Sequence, residues 1–187
     1  MPLRSFTETK YAYHLTYPKL TAIVTSGTLK KPNAMAASWH THLSLDPPLY
    51  GVSISPKRYT NQLIREYREF GVNFLPFKLS EKIWLTGTVS GREVNKFSEF
   101  ELTIHKAKRI KAPLISESIA ALECKVVNEI TVGDHIFYVG EIVYCWVQDD
   151  VIKSSRGLLD PVKAKQAYYL GEGVFLTLDP TSLVEFE

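Results

Sequence analysis

Asn33-Ala34-Met35-Ala36-Ala37-Ser38-Trp39, followed by Asp46-Pro47-Pro48-Leu49, Val52-Ser53-Ile54-Ser55-Pro56 and Arg58-Tyr59-Thr60, is the stretch whose reading decides the fold. Upstream, Leu20-Thr21-Ala22-Ile23-Val24-Thr25-Ser26 is apolar and β-branched and stops at Gly27. After Thr28-Leu29-Lys30-Lys31-Pro32 the chain resumes at Asn33, which predicts a hairpin with a loose loop. Leu49 to Ile54 predicts a third strand, stopped by Ser55-Pro56. Thr60 offers an N-cap hydroxyl to a helix whose apolar face carries Leu63, Ile64, Tyr67 and Phe70 and whose polar face carries Arg65, Glu66, Arg68 and Glu69.

Further along, Gly71 to Leu75 predicts a strand, and Ser80-Glu81-Lys82 starts a short helix. Leu122 to Ile130 alternates, then passes through Gly133-Asp134 into His135-Ile136-Phe137-Tyr138-Val139 and on to Val147, which predicts a long antiparallel hairpin. Ala112-Pro113 and Asp160-Pro161 mark loops, and Gly173 to Leu178 a closing strand. Many strands with one strong helix argue for a mainly β barrel rather than a βαβ sheet.

The 187 residues carry 45% hydrophobic and 22% charged side chains, ordinary values for one folded domain over residues 1–187. A net charge of +2 is too mild for a nucleic-acid-binding face. Lys106, Lys108, Arg109 and Lys111 read as a solvated loop or edge. A barrel binding single strands through its tyrosines is the competing reading, but the aromatics fall within apolar strand patterns, so core packing accounts for them better. The N-terminus lacks an apolar signal core and no long apolar run occurs, so no membrane partner is expected and a cytoplasmic location is. Cys124 and Cys145 lie in strand-like segments and read as buried thiols.

The chemistry follows from residue types. A flat ring with one N–H and two carbonyl groups on its polar edge is matched by main-chain groups at a strand edge or turn, provided the side chains there are small. Ala34, Ala36, Ala37 and Ser38 meet that condition, with Met35 between them and Trp39 as a wall; a merely close-packed strand pair would use the same residues. Ser53 and Ser55 share a strand face around Ile54, and Arg58, Tyr59 and Thr60 open the helix, whose free N–H groups and forked arginine charge suit an anion. A simple cap and a solvated arginine are the plainer alternative. A flat polar ring and a phosphate together describe flavin mononucleotide (FMN). His40 and His42 could face one way on a strand, but no third ligand has suitable spacing, so no metal is expected. His135 sits at a hairpin turn where exposure is the default. No GxGxxG, GxSxG or P-loop pattern occurs.

In order along the chain, Val24-Thr25-Ser26, Asn33-Ala34-Met35-Ala36-Ala37-Ser38, Asp46-Pro47-Pro48, Ser53/Ser55, Arg58-Tyr59-Thr60, Phe70-Gly71-Val72-Asn73, Ser90-Gly91 with Asn95-Lys96-Phe97, and Gly133-Asp134-His135 resemble the flavin reductase-like family of FMN-binding split barrels. That family includes flavoredoxins and the reductase components of two-component monooxygenases. The resemblance implies a Greek-key split β-barrel with a few peripheral helices, a homodimer, FMN as cofactor with FAD as the alternative, and hydride transfer from NADH or NADPH to flavin. It adds Asn73 and Lys96 to the cofactor contacts, places His135 at the nicotinamide nucleotide, and requires no catalytic acid or base. An oxygenase component or another electron acceptor would take the electrons. An FMN-bound electron carrier that never meets NAD(P)H is the second reading. Two departures stand out: Ala36 replaces the usual threonine, so a hydroxyl near the flavin is missing, and Glu172 interrupts a Leu-Gly-Gly-Gly turn at Leu170-Gly171-Glu172-Gly173.

Overall fold

A computed structural model of the chain describes residues 3–154 and 157–184. A 3-10 turn at Thr9–Thr16 leads into β1 (Lys19–Leu20), β2 (Ala22–Thr28), β3 (Lys31–Ala37), β4 (His40–Leu45) and β5 (Pro48–Ile54). Next come α1 (Tyr59–Tyr67), β6 (Glu69–Phe74), α2 (Ser80–Thr88) and α3 (Lys96–Glu99). The chain then forms β7 (Ile104–His105), β8 (Leu114–Ile115), the long β9 (Ala120–Val132) and β10 (His135–Val147), and finally β11 (Tyr168–Gly171) and β12 (Val174–Leu176).

Seven strands form one sheet in the order β3-β2-β6-β9-β10-β5-β4, with every pairing antiparallel. Three hairpins, β2–β3, β4–β5 and β9–β10, are stitched together by the non-sequential neighbours β2–β6 and β5–β10, the order of a Greek key. The sheet curls into a barrel because its two ends share one core: Val24, Met35 and Ala37 from one end pack with Tyr50, Val52 and Ile54 from the other around Phe70, Val72 and Tyr138. Ile23 and Ala34 point the opposite way, into a second core with Leu75, Ile83 and Phe97. Burial on both faces is why β2 and β3 read as nearly continuous apolar or small runs rather than as alternation. Among the described residues no helix is long and apolar enough to cross a membrane.

Several sequence expectations need correction. The β2–β3 connection is tight, because Thr28 pairs with Lys31 and only Leu29 and Lys30 lie between them. Leu49–Ile54 belongs to the fifth strand, since β1 and β4 are short or polar enough to escape pattern reading. The helix ends at Tyr67, where Arg68 adopts a left-handed conformation (φ 57°). Glu69 and Phe70 therefore start β6, and Glu69 is buried rather than solvated. Its carboxylate accepts the N–H groups of Lys111 and Ala112. Glu123 likewise accepts the N–H groups of Lys108 at 2.8 Å, Arg109 at 2.6 Å and Ile110 at 3.2 Å, and Trp146 Nε1 at 2.6 Å. Two inward carboxylates thus anchor the backbone of the basic run while its cationic side chains stay exposed. Cys124 is buried, but Cys145 is exposed, and both are free.

Candidate functional site

The edge strand β3 pairs only with β2, and α2 and α3 lie against it. Along this edge two cavities open, of about 680 Å³ and about 330 Å³. They share Met35, Lys57, Arg58, Gly87 and Thr88, so they form two arms of one cleft.

The larger arm is mostly apolar. The end of β3 and the residues after it supply Met35 to Trp39, the end of β5 supplies Ser53 and Ile54 with Ser55 just after it, and α2 supplies Trp84. Tyr17, Tyr169 and Phe175 close it from the N-terminal segment and the β11–β12 hairpin. Trp39 Nε1 donates to the Tyr17 hydroxyl at 3.1 Å, and its ring centroid is 4.9 Å from that of His135. His135 lines this arm at the start of β10, where Gly133, at φ 58°, allows a turn with only two residues between β9 and β10. Its Nδ1 lies 2.7 Å from Asp134 Oδ1, and that hydrogen bond holds the Asp134 carboxyl below its ordinary pKa.

The smaller arm is polar. Asn33 Nδ2 donates to Thr60 Oγ1 at 2.9 Å and to Ser26 Oγ at 3.1 Å, tying β3 to the first turn of α1. Thr60 is therefore not a helix cap: Arg58 occupies the N-cap position, without a side-chain cap bond, and the buried Thr60 hydroxyl is Asn33's partner. Gly91 makes this junction feasible, since a Cβ there would sit 2.1 Å from Asn33 Oδ1. The Asn95 side chain accepts the Phe97 N–H at 3.1 Å and starts α3, which sets Lys96 into the arm. Lys96 is only 3% exposed, and its Nζ donates to the Thr86 carbonyl at 2.6 Å. Burial, and then repulsion from Arg58, lowers its pKa to about 8. Lys57, Arg58 and Lys96 make no ion pair among the described residues, and Glu93 is the one carboxylate lining this arm.

Every residue assigned from the sequence to the flavin or the nicotinamide nucleotide lines one of the two arms except Ala34 and Asn73. Ala34 is buried in the second core. The Asn73 amide donates to the Ile23 carbonyl at 3.0 Å and Thr25 Oγ1 at 3.1 Å and accepts the Ile115 N–H at 2.9 Å, so it braces β2, β6 and β8. His40 stands apart from the cleft: burial lowers its pKa to about 4, leaving it neutral. Its Nε2 donates to the Leu20 carbonyl at 2.9 Å, so Nδ1 is the acceptor for the Tyr50 hydroxyl at 2.6 Å. His42 packs edge-on against the same Tyr50 ring. Sequence reading missed Tyr17, Thr21, Lys57, Trp84, Thr88, Tyr169 and Phe175. Lys57 was recoverable as the neighbour of Arg58, and Tyr169 as the residue beside the flagged Leu170-Gly171 turn.

A profile described as flavin reductase like domain matches residues 14–167. An uncharacterized protein of Archaeoglobus fulgidus is 44% identical over 128 residues, 68% of this chain and 72% of that one. An NADH-dependent flavin reductase of a Rhodococcus species is 28% identical over 123 residues, 63% of this chain and 62% of its own. Among solved structures, an FMN-binding protein from Thermus thermophilus aligns with a TM-score of 0.86 at 29% identity, over 99% of this chain and 100% of that one.

Proposed function

From the premise that the chain belongs to the flavin reductase-like family, we propose that it is an NAD(P)H:flavin oxidoreductase that holds FMN in the two-armed cleft. The observation that carries this reading is the cleft itself: an apolar arm along an open strand edge runs directly into an arm where three cations, Lys57, Arg58 and Lys96, face a single carboxylate, Glu93, and make no ion pair among the described residues. A buried ammonium beside an arginine is unfavourable unless an anion joins them, so the residues present fit a phosphate.

Residue roles follow from position. Ala36, Ala37 and Ser38 leave space for a flat ring against the main chain of β3, and Ser53, Ile54 and Ser55 line the same arm. Arg58 and Lys96 hold the terminal phosphate, with Lys57 beside them; Asn33, Tyr59 and Thr60 shape that arm. Bound flavin supplies hydride acceptance and onward electron transfer. Trp39 and His135 wall the ring arm, where His135 binds and orients NADH or NADPH. No side chain is needed to move a proton, because the work is alignment of two rings.

Visible-absorbance titration with FMN, followed by stopped-flow mixing of the loaded protein with NADH or NADPH, tests this. Saturable binding and rapid flavin bleaching are expected. Binding without bleaching would favour an electron carrier reduced by another protein, and no flavin binding would overturn the reading. FMN is expected to bind more tightly than FAD, because the anion arm suits a terminal monophosphate; equal or tighter FAD binding would refute that. The resemblance, with Leu43 and Leu45 exposed on the edge strand β4, supports a homodimer, for which sedimentation equilibrium should give twice the chain mass.

A further inference from the structure

Thr21 lies between β1 and β2 and is one of the residues lining the larger arm. It is 3% exposed, yet its hydroxyl has no hydrogen-bond partner. The backbone around it is fixed on both sides: the Thr21 N–H donates to the Ala167 carbonyl at 2.9 Å, and the preceding Leu20 carbonyl accepts from His40 Nε2 at 2.9 Å. These bonds fix the main chain at Thr21 and leave its hydroxyl outside the backbone network.

For the fold alone, valine would serve better here. It has the same branched shape, suits a strand, and carries no hydroxyl to strip of water. A buried hydroxyl that the protein leaves unsatisfied, on a residue that lines a cavity, points to a ligand that satisfies it. Its place on the sheet is also informative. Ala22 pairs with Ala37 and Ile23 with Ala36. Thr21 immediately precedes that paired stretch and lines the same arm as Ala36, Ala37 and Ser38. Ala36 offers only a methyl group to the ring arm, whereas Thr21, just before β2, brings a hydroxyl to the residues that line it.

We infer that the Thr21 hydroxyl is a ligand-binding group of the ring arm, donating to an acceptor on the polar edge of the flat ring seated against Ala36, Ala37 and Ser38. This rests on the flavin reading above. Carbonyl oxygens outnumber N–H groups on that edge, and a freely rotating hydroxyl donates where an acceptor is offered. Because the contact is made to the ring and not the phosphate, it is indifferent to the length of the flavin's tail.

Thr21→Val and Thr21→Ser, titrated with FMN and with riboflavin alongside thermal melting of the flavin-free proteins, test this. Thr21→Val should weaken both flavins about five- to tenfold, the scale of one lost hydrogen bond. Its flavin-free melting temperature should equal or exceed that of the parent, and Thr21→Ser should keep affinity within about twofold. If the parent binds flavin and Thr21→Val binds it equally well, the inference is overturned while the flavin reading stands. Loss confined to FMN, or a lowered melting temperature with equal loss in Thr21→Ser, would also overturn it, assigning the residue to the phosphate or to packing. If the parent binds neither flavin, both fall together.

Discussion

The two arms of the cleft are built by opposite rules. The smaller one is made from short, contiguous segments, residues 57–60 and 87–96 with Asn33, and its groups are held by direct bonds: Asn33 to Thr60, Lys96 to the Thr86 carbonyl. The larger one is assembled from distant parts of the chain, with Tyr17, Trp39, Trp84, Tyr169 and Phe175 contributing ring faces. A charge removed from the first arm is one of three cations lining it, Lys57, Arg58 and Lys96, so each carries a large share of the field on a phosphate. A ring trimmed from the second leaves several neighbours and a main-chain edge in place. Substitutions should therefore have large, ligand-selective effects in the smaller arm and graded ones in the larger.

The largest effect is expected at Arg58. Arg58→Ala should weaken FMN about tenfold or more, since a charge-assisted contact contributes roughly 1.5–3 kcal/mol, while riboflavin binding barely changes. Parallel fluorescence titrations decide it, and equal weakening of both flavins would show the arginine to be structural. Next comes pH. Folding lowers the Lys96 pKa from 10.5 to about 8, so its burial penalty is fully present below about pH 8 and is relieved as pH rises from there toward 10.5. A phosphate beside the ammonium favours the proton again. FMN affinity should accordingly fall as pH rises through about 8, approaching tenfold per unit at the steepest, whereas riboflavin affinity stays flat until its ring ionises. Lys96→Met should abolish the difference; a pH dependence that survives it would place the titrating group elsewhere.

The same contrast governs what was legible in the sequence. Arg58, Tyr59 and Thr60, like Ser53 and Ser55, are local signals, and the structure brings them to the cleft. The long β9–β10 hairpin and the mainly β character of the chain were legible because alternation and turn residues repeat over many positions, whereas the order of strands in the sheet depends on pairings between distant segments. Roles that depend on a distant partner were not. Thr60 reads as a cap until Asn33 is seen reaching it from β3. Asn73 reads as a cofactor contact until Ile23, Thr25 and Ile115 are seen to use its amide. Glu69 fits the polar side of a helix by spacing alone, but Arg68 ends that helix and turns the carboxylate inward onto loop N–H groups. Rings such as Trp84 and Phe175 carry no local mark that separates a cavity wall from core packing.

A smaller effect is expected at His135, on the open side of the ring arm. His135→Ala should raise the apparent KM for NADH or NADPH several-fold while leaving FMN affinity within about threefold, less than the roughly 1.4 kcal/mol of a tenfold change. Asp134→Asn, which weakens the bond orienting the imidazole, should move KM in the same direction by less. Unchanged steady-state kinetics in His135→Ala, or loss of FMN itself, would assign this histidine to the wrong ligand and blur the division between the arms.

The smallest effect is expected where the aromatic wall is least dependent on any one contact. Tyr17 accepts a hydrogen bond from Trp39 at 3.1 Å, and burial outweighs that bond in raising its pKa, so it remains a neutral phenol throughout the pH range of the flavin titration. Tyr17→Phe keeps the ring and removes only the acceptor. Trp39 is 41% exposed, so water can take over its indole N–H, and the change in stability should stay within about 0.5 kcal/mol. Flavin affinity should shift by no more than about twofold, with no new pH dependence. Tyr13 and His135, which flank the Trp39 ring at centroid distances of 5.8 Å and 4.9 Å in the parent, are untouched by the substitution. A loss of fivefold or more would mean that the hydrogen bond fixes Trp39 and that the wall acts as one unit. The larger arm would then be as dependent on single contacts as the smaller, and the contrast between them would fail.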